Sequence, residues 1–149
     1  MLTVNQLKID SPDIVKISRA LADEDWDGKA YDAELAEKLL KEFVSDTMNI
    51  YLVAKIDGSI CGRSFGYVLK HPNGSKDLFI DEVDTLDQYR RRGVATAMVE
   101  KMIKIAGSLG IEEVWVEAEK DNLAANKTYQ KLCPTEIVKA INYSYKIKQ

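Results

Sequence analysis

Long apolar runs are missing from this 149-residue chain. None approaches the roughly 20 residues that a helix needs to span a bilayer, so no membrane partner is expected. The opening residues, MLTVNQLKID, lack the basic-then-apolar pattern of a signal peptide. Cysteine is scarce: Cys61 and Cys133 lie far apart and fit no metal-ligand spacing. They are expected to be free thiols in a reducing compartment, the cytoplasm, with no metal. Histidine is scarcer still, with His71 alone in the turn-forming stretch His71-Pro72-Asn73-Gly74. It is expected to be exposed and without a partner, and no Ser–His or Cys–His pair stands out. Excess positive charge is absent as well. A formal net charge of −3 and a pI near 5.3 argue against a general nucleic-acid binder, which needs a basic surface. No repeat, low-complexity tract or linker interrupts the chain. Its length, with 46% hydrophobic and 30% charged residues, suits one globular domain over residues 1–149.

What positive charge there is gathers in one place. The stretch from Leu78 to Leu109 reads strand, basic loop, helix. Inside it, Arg90-Arg91-Arg92-Gly93-Val94-Ala95 fits R-x-x-G-x-[G/A]. Gly93 has no Cβ and lets a ligand approach the backbone closely. Apolar side chains then recur at Val94, Met98, Met102, Ala106 and Leu109, the spacing of one helix face. The loop therefore opens into a helix N-terminus, where free N–H groups and the positive dipole end form a seat for phosphate. The same residues also fit an ordinary strand–helix turn carrying solvated charge. A local cationic pocket on an acidic protein suits a small polyphosphate better than a duplex.

The rest of the chain supplies the frame. Thr3–Lys8 alternates like a strand. Ser11-Pro12-Asp13 is a helix start, with Ile14, Ile17 and Leu21 on one face. A loop, Asp23–Gly28, precedes a second helix over 32–45 with the stripe Leu35, Leu39, Leu40 and Phe43. Ile50–Ile56 and Ile60–Leu69 are apolar runs joined by Asp57-Gly58, a hairpin signal. Gly62 and Gly66 mark bulges or close backbone approach. After the basic loop come a strand over 113–118, a short helix over 122–132 and a closing strand over 137–147. The order is β-α-α-β-β-β-α-β-α-β: an α/β (α+β) fold with a mixed, mostly antiparallel central sheet flanked by helices.

The basic loop and this order together resemble the GNAT N-acetyltransferase superfamily, along essentially the whole chain. Asn122, Ala125, Tyr129 and Leu132 add the family pattern N-x-x-A-x-x-x-Y-x-x-L, although Cys133-Pro134 stands where relatives usually have Gly-Phe. The resemblance implies a GNAT-like acyl-CoA N-acyltransferase fold and acetyl-CoA as cosubstrate. Val83, Asp84 and Thr85 would hold the pantetheine arm. Arg90, Arg91, Arg92, Gly93, Val94, Ala95 and Thr96 would hold the pyrophosphate, with Asn122, Ala125 and Tyr129 facing the cofactor from the later helix. Tyr129 would be the acid for the departing thiolate, and a backbone N–H near Val83 the oxyanion donor. Dimers are common in the family, and no sequence feature settles whether this chain forms one.

The base is less directly marked. Phe79 stands where many GNAT enzymes carry a glutamate. Glu82 matches an acidic position of the aminoglycoside 3-N-acetyltransferase branch, which the ending EIVKAINYSYKI also resembles. Glu117 is the runner-up. These acids equally fit solvent-facing strand residues. For the acceptor, Asp25, Trp26 and Tyr31, with Glu82, combine acids and aromatics suited to a small cation, aminoglycoside-like or polyamine-like. They also fit a solvated helix–helix loop. The expected activity is direct transfer of acetyl to a primary amine; the competing reading is an acyl-CoA-binding module without transfer activity.

Overall fold

The structure, a computed structural model, describes residues 1–23 and 32–147. The elements are β1 (Leu2–Gln6), α1 (Ile14–Asp23), α2 (Ala33–Ser45), β2 (Asn49–Ile56), β3 (Ser59–Lys70), β4 (Lys76–Thr85), α3 (Val94–Ser108), β5 (Glu113–Val116) and α4 (Leu123–Lys131). A single 3-10 turn, Asp87–Tyr89, precedes the basic loop. The strands form one sheet in the order β1-β2-β3-β4-β5. The first three pairings are antiparallel and the last is parallel.

Both faces of the sheet are covered, which explains why β2 is apolar from Ile50 to Ala54. Ile50 and Leu52 join Leu78 and Ile80 of β4 against Val99, Met102 and Ala106 of α3. The intervening Tyr51 and Val53 face the other way, against Ile14 and Ile17 of α1 and Leu40 of α2. In α3, Val94, Met98, Met102 and Ala106 are buried as their spacing predicts, while Leu109 at the C-cap is exposed. Asp32 caps α2, its carboxylate accepting from the Leu35 N–H at 2.9 Å.

The β2–β3 hairpin turns at Asp57 and Gly58, both at positive φ, as a two-residue primed turn requires. The expected irregularities are present. Between β3 and β4 the register passes from Phe65↔Glu82 to Gly66↔Ile80, so Asp81 is an extra residue on β4. Gly66 sits under this bulge: a Cβ there would lie 2.4 Å from the Phe79 carbonyl oxygen. Gly66→Ala is therefore expected to destabilise the fold by about 1–3 kcal/mol, the usual cost of overpacking. Urea unfolding checks this, and an unchanged midpoint would show that the bulge yields freely.

Two expectations need correction. Residues 137–147 form no strand: the segment pairs with none of the described strands, and Ile141, Tyr143, Tyr145 and Ile147 stay exposed. His71 does have a partner: its Nε2 lies 2.9 Å from Asp77 Oδ2, at the point where the β3–β4 connection returns to the sheet.

Candidate active site

The site is made by the divergence of two strands. β5 pairs with β4 only from Asp77↔Glu113 to Ile80↔Val116. The bulge at Asp81 follows at once, and beyond it β4 stays paired with β3 alone, from Glu82↔Phe65 to Thr85↔Gly62. The Glu82 carbonyl is turned towards β3, where it accepts from Ser64 Oγ at 2.8 Å. Alternation along the strand then turns the Val83 N–H to the opposite edge, into the gap beside β5.

Charged side chains gather on one face at this point. Arg63 of β3 sits opposite Asp84. Its Nη2 donates to Glu82 Oε1 at 2.7 Å and to Asp84 Oδ2 at 3.2 Å, and its Nε also reaches Asp84 at 3.2 Å. The guanidinium side chain is 11% exposed, and the two carboxylates about a third. A planar fork bridging two acids is geometry that lysine cannot supply. Partial burial nevertheless pushes the Glu82 carboxyl up to about 7. A hydrogen bond to Asp84, which needs one of the two acids protonated, and the Asp84 charge act in the same direction, while Arg63 opposes them. A carboxylate poised near neutrality is what a general base requires.

Around this pair stand three tyrosines. Tyr51, beneath Arg63, is held up at about 12 mainly by burial, with Arg63 pulling the other way. Tyr67 is raised by burial and by Asp81. Tyr129 of α4 is raised by burial and by the Asp84 charge, so its phenol keeps its proton at neutral pH. Tyr129 and Glu82, 47 residues apart in sequence, thus both feel the Asp84 charge. On the same face of the sheet, Phe79 and Trp115 stack with centroids 4.3 Å apart.

The basic loop has the expected form. Gly93 is the N-cap of α3 in the left-handed region, φ +80°, and Arg91 precedes it at φ +60°. The first α3 bond is Ala97 N–H to the Gly93 carbonyl at 3.0 Å. The N–H groups of Val94, Ala95 and Thr96 thus precede the helical ladder. A Cβ on Gly93 would meet nothing within 4 Å, so the space beside that residue is open. Arg90 pairs with Asp87 at 2.8 Å, and the Arg92 guanidinium lies 5.6 Å from the centre of the Tyr89 ring. Thr85 Oγ1 is buried and meets no hydrogen-bond partner among the described residues. Open space at Gly93, free amides, three arginines and a lone hydroxyl at the end of β4 fit a ligand with a polyphosphate end and a polar arm.

Other sequence-derived positions fall less centrally. Glu117 is exposed and lies past the end of β5. Asn122 caps α4, accepting from the Ala125 N–H at 3.1 Å. Asp25, Trp26 and Tyr31 lie outside the described residues. Sequence reasoning passed over Arg63, Tyr51, Tyr67 and the Phe79–Trp115 stack as site residues. The strand alternation puts Arg63, Phe65 and Tyr67 on one face of β3, but only the bulged register sets Arg63 against both acids. Among the described residues, no group of three or more His, Cys, Asp or Glu is placed to hold a metal ion.

A sheet splayed beside a basic helix N-terminus defines the class. The sequence model of the acetyltransferase (GNAT) family matches residues 12–133, and the chain belongs to that family. Over 144 residues it is 28% identical to an N-alpha-acetyltransferase of Sulfurisphaera tokodaii, covering 91% of this chain and 80% of that protein. Over 100 residues it is 27% identical to an uncharacterized N-acetyltransferase of Mycobacterium bovis, covering 67% of this chain. The match spans 62% of that mycobacterial relative's length. In three dimensions the chain superposes with a TM-score of 0.83 on an aminoglycoside acetyltransferase from an uncultured soil metagenomic sample in complex with sisomicin. That superposition covers 99% of this chain and 97% of the other at 20% identity, and it is a likeness of fold.

Proposed function

We propose that residues 1–149 act as one acetyl-CoA-dependent N-acetyltransferase domain that moves acetyl directly to a primary amine of a small cationic acceptor. The observation that carries this reading is Glu82: half-buried, poised near pH 7, and held by Arg63 on the strand that splays from β5. Acetyl-CoA, when bound, supplies the activated thioester. Glu82 takes the proton of the acceptor ammonium, directly or through water, and so frees the nitrogen lone pair. The Val83 N–H stabilises negative charge developing on the carbonyl oxygen. Tyr129, kept protonated by burial and by Asp84, gives its proton to the leaving thiolate. Val94, Ala95 and Thr96, with Arg90, Arg91 and Arg92, would hold the pyrophosphate end, and Thr85 the pantetheine arm. No covalent acyl-enzyme is needed.

The acceptor class rests on the face around the base. Asp81, Glu82 and Asp84 of β4 are acids, and Phe79 of the same strand, Tyr67 of β3 and Trp115 of β5 are aromatics. Acids with aromatics favour a cation by charge and by cation–π contact. An aminoglycoside-like or polyamine-like amine fits best. Asp25, Trp26 and Tyr31 remain assigned to acceptor binding on sequence grounds. Cys61 and Cys133 as free thiols suit a reducing compartment, the cytoplasm.

The test is acetyl-CoA-dependent thiol release over aminoglycosides, polyamines, amino acids and short peptides. Release with the cationic amines supports the proposal. Release with peptides alone would move the acceptor to protein N-termini. Tight acetyl-CoA binding without release on any amine would leave a binding module without transfer. With an active acceptor, Tyr129→Phe is expected to lower kcat by about 100-fold or more with acetyl-CoA affinity kept, since the ring stays and the donor goes. An unchanged kcat would remove Tyr129 from the acid role.

A further inference from the structure

Two acids and one cation share a sheltered corner of the sheet. Arg63 of β3 lies directly opposite Asp84 of β4, and Phe65 lies opposite Glu82. Strand alternation puts all four side chains on one face. The Arg63 Nη2 reaches both carboxylates, Glu82 at 2.7 Å and Asp84 at 3.2 Å, and Nε makes a second contact to Asp84. Both acids therefore crowd a single, largely buried guanidinium.

Such a cluster is a weak source of stability, because taking charges out of water costs about as much as their attraction returns. Its effect on protonation is larger. Two carboxylates side by side repel each other, and burial adds to the cost of charging both. Without a cation they would keep a shared proton well above neutral pH, as coupled acids do. Arg63 opposes both effects on Glu82 by charge and by hydrogen bond, and the balance falls at about 7. The other titratable groups around the pair are Tyr51 of β2, Tyr67 of β3 and, towards Asp84, Tyr129 of α4. Burial holds these three phenols above their ordinary range, so they are neutral near pH 7. Asp81 in the bulge acts on Tyr67. Among the described residues, the cation in ion-pair contact with Glu82 is Arg63.

We propose that Arg63 is a positioning residue: its fork holds Glu82 and Asp84 as one unit and sets the pH at which Glu82 gives up its proton. Lysine is no substitute, since a point charge on a flexible stem cannot bridge both acids in a fixed plane. What this means for turnover rests on the reading of Glu82 as the base; the hold of Arg63 on the pair does not.

The test is a 13C NMR titration of the Glu82 carboxyl in the full chain, its signal assigned by its loss in Glu82→Gln. Arg63→Gln is expected to raise the Glu82 midpoint by about one pH unit or more, the usual effect of removing an opposite charge in contact. Arg63→Lys is expected to fall between Arg63→Gln and the unaltered chain. Asp84→Asn removes the like charge and is expected to lower the midpoint. Opposite signs from two neighbours separate this role from lost structure, because unfolding returns Glu82 towards its ordinary 4.5 in every variant. A midpoint that stays put in Arg63→Gln, with far-UV circular dichroism retained, overturns the proposal. If Arg63→Gln does not fold, Arg63→Lys takes its place with the same expected sign and the same overturning result. The rate profile tests the base separately. With an active amine, the ascending limb of kcat should follow the Glu82 midpoint, and Arg63→Gln should lose about fivefold at pH 7. A midpoint that moves while the limb stays supports the role of Arg63 and removes Glu82 as the base.

Discussion

Glu82→Gln is expected to lower turnover near pH 7 by about 100-fold or more, within the range that a positioned base contributes. Acetyl-CoA affinity should stay within about twofold, because glutamine keeps the shape of the side chain and an oxygen for Arg63. The pH dependence is the sharper readout. The Glu82 carboxyl titrates at about 7 in the folded chain. Wild-type rate should therefore rise through that pH as the base loses its proton, and the variant should lose this ascending limb. Stability carries the opposite sign. Between its ordinary value of 4.5 and about 7, the folded chain holds a proton that the unfolded chain has released. That contribution to stability is fully present below 4.5 and is lost as pH rises through 7. Glu82→Gln should flatten the decline in this window. A rate profile that keeps its limb in the variant would shift the base role to Glu117 or to water.

Gly93→Val is expected to weaken acetyl-CoA binding by about 100-fold, measured by calorimetry. Two losses combine. The loop holds φ +80° at Gly93, which a β-branched residue adopts only with strain of about 1–3 kcal/mol. The new side chain also enters the open space beside Gly93, where on the proposed reading the pyrophosphate approaches the loop. Two charge-assisted hydrogen bonds lost at about 1.5 kcal/mol each amount to roughly two powers of ten. Thermal melting separates the effects: strain lowers the melting temperature without ligand, while blockade shows as lost binding in the fraction that stays folded. Unchanged affinity would take the loop out of the cofactor site.

Much of this frame was legible because its signals are local. The apolar periods of β2 and α3, the Asp57-Gly58 turn and the glycine before α3 each act through nearest neighbours or a single helix face. Asp32 and Asn122 mark helix starts for the same reason, while α1 begins at Ile14, past the expected cap Ser11. The family pattern around Arg90–Ala95 and Tyr129 lay in short contiguous motifs. The closing strand failed as an expectation because alternation states only which face a strand would bury, and the edge that would receive residues 137–147 is not written in the segment itself.

By itself, then, the sequence determined the element types from β1 to α4, the basic loop with its glycine before α3, the acids of β4 and the tyrosine of α4. Only the tertiary structure decided what surrounds those acids. The Asp81 bulge shifts the register by one residue, sets Arg63 against Glu82 and Asp84, and starts the divergence from β5. The poise of Glu82 near neutrality comes from that placement, because partial desolvation and neighbouring charge depend on what surrounds a carboxyl in space and not on what adjoins it in the chain.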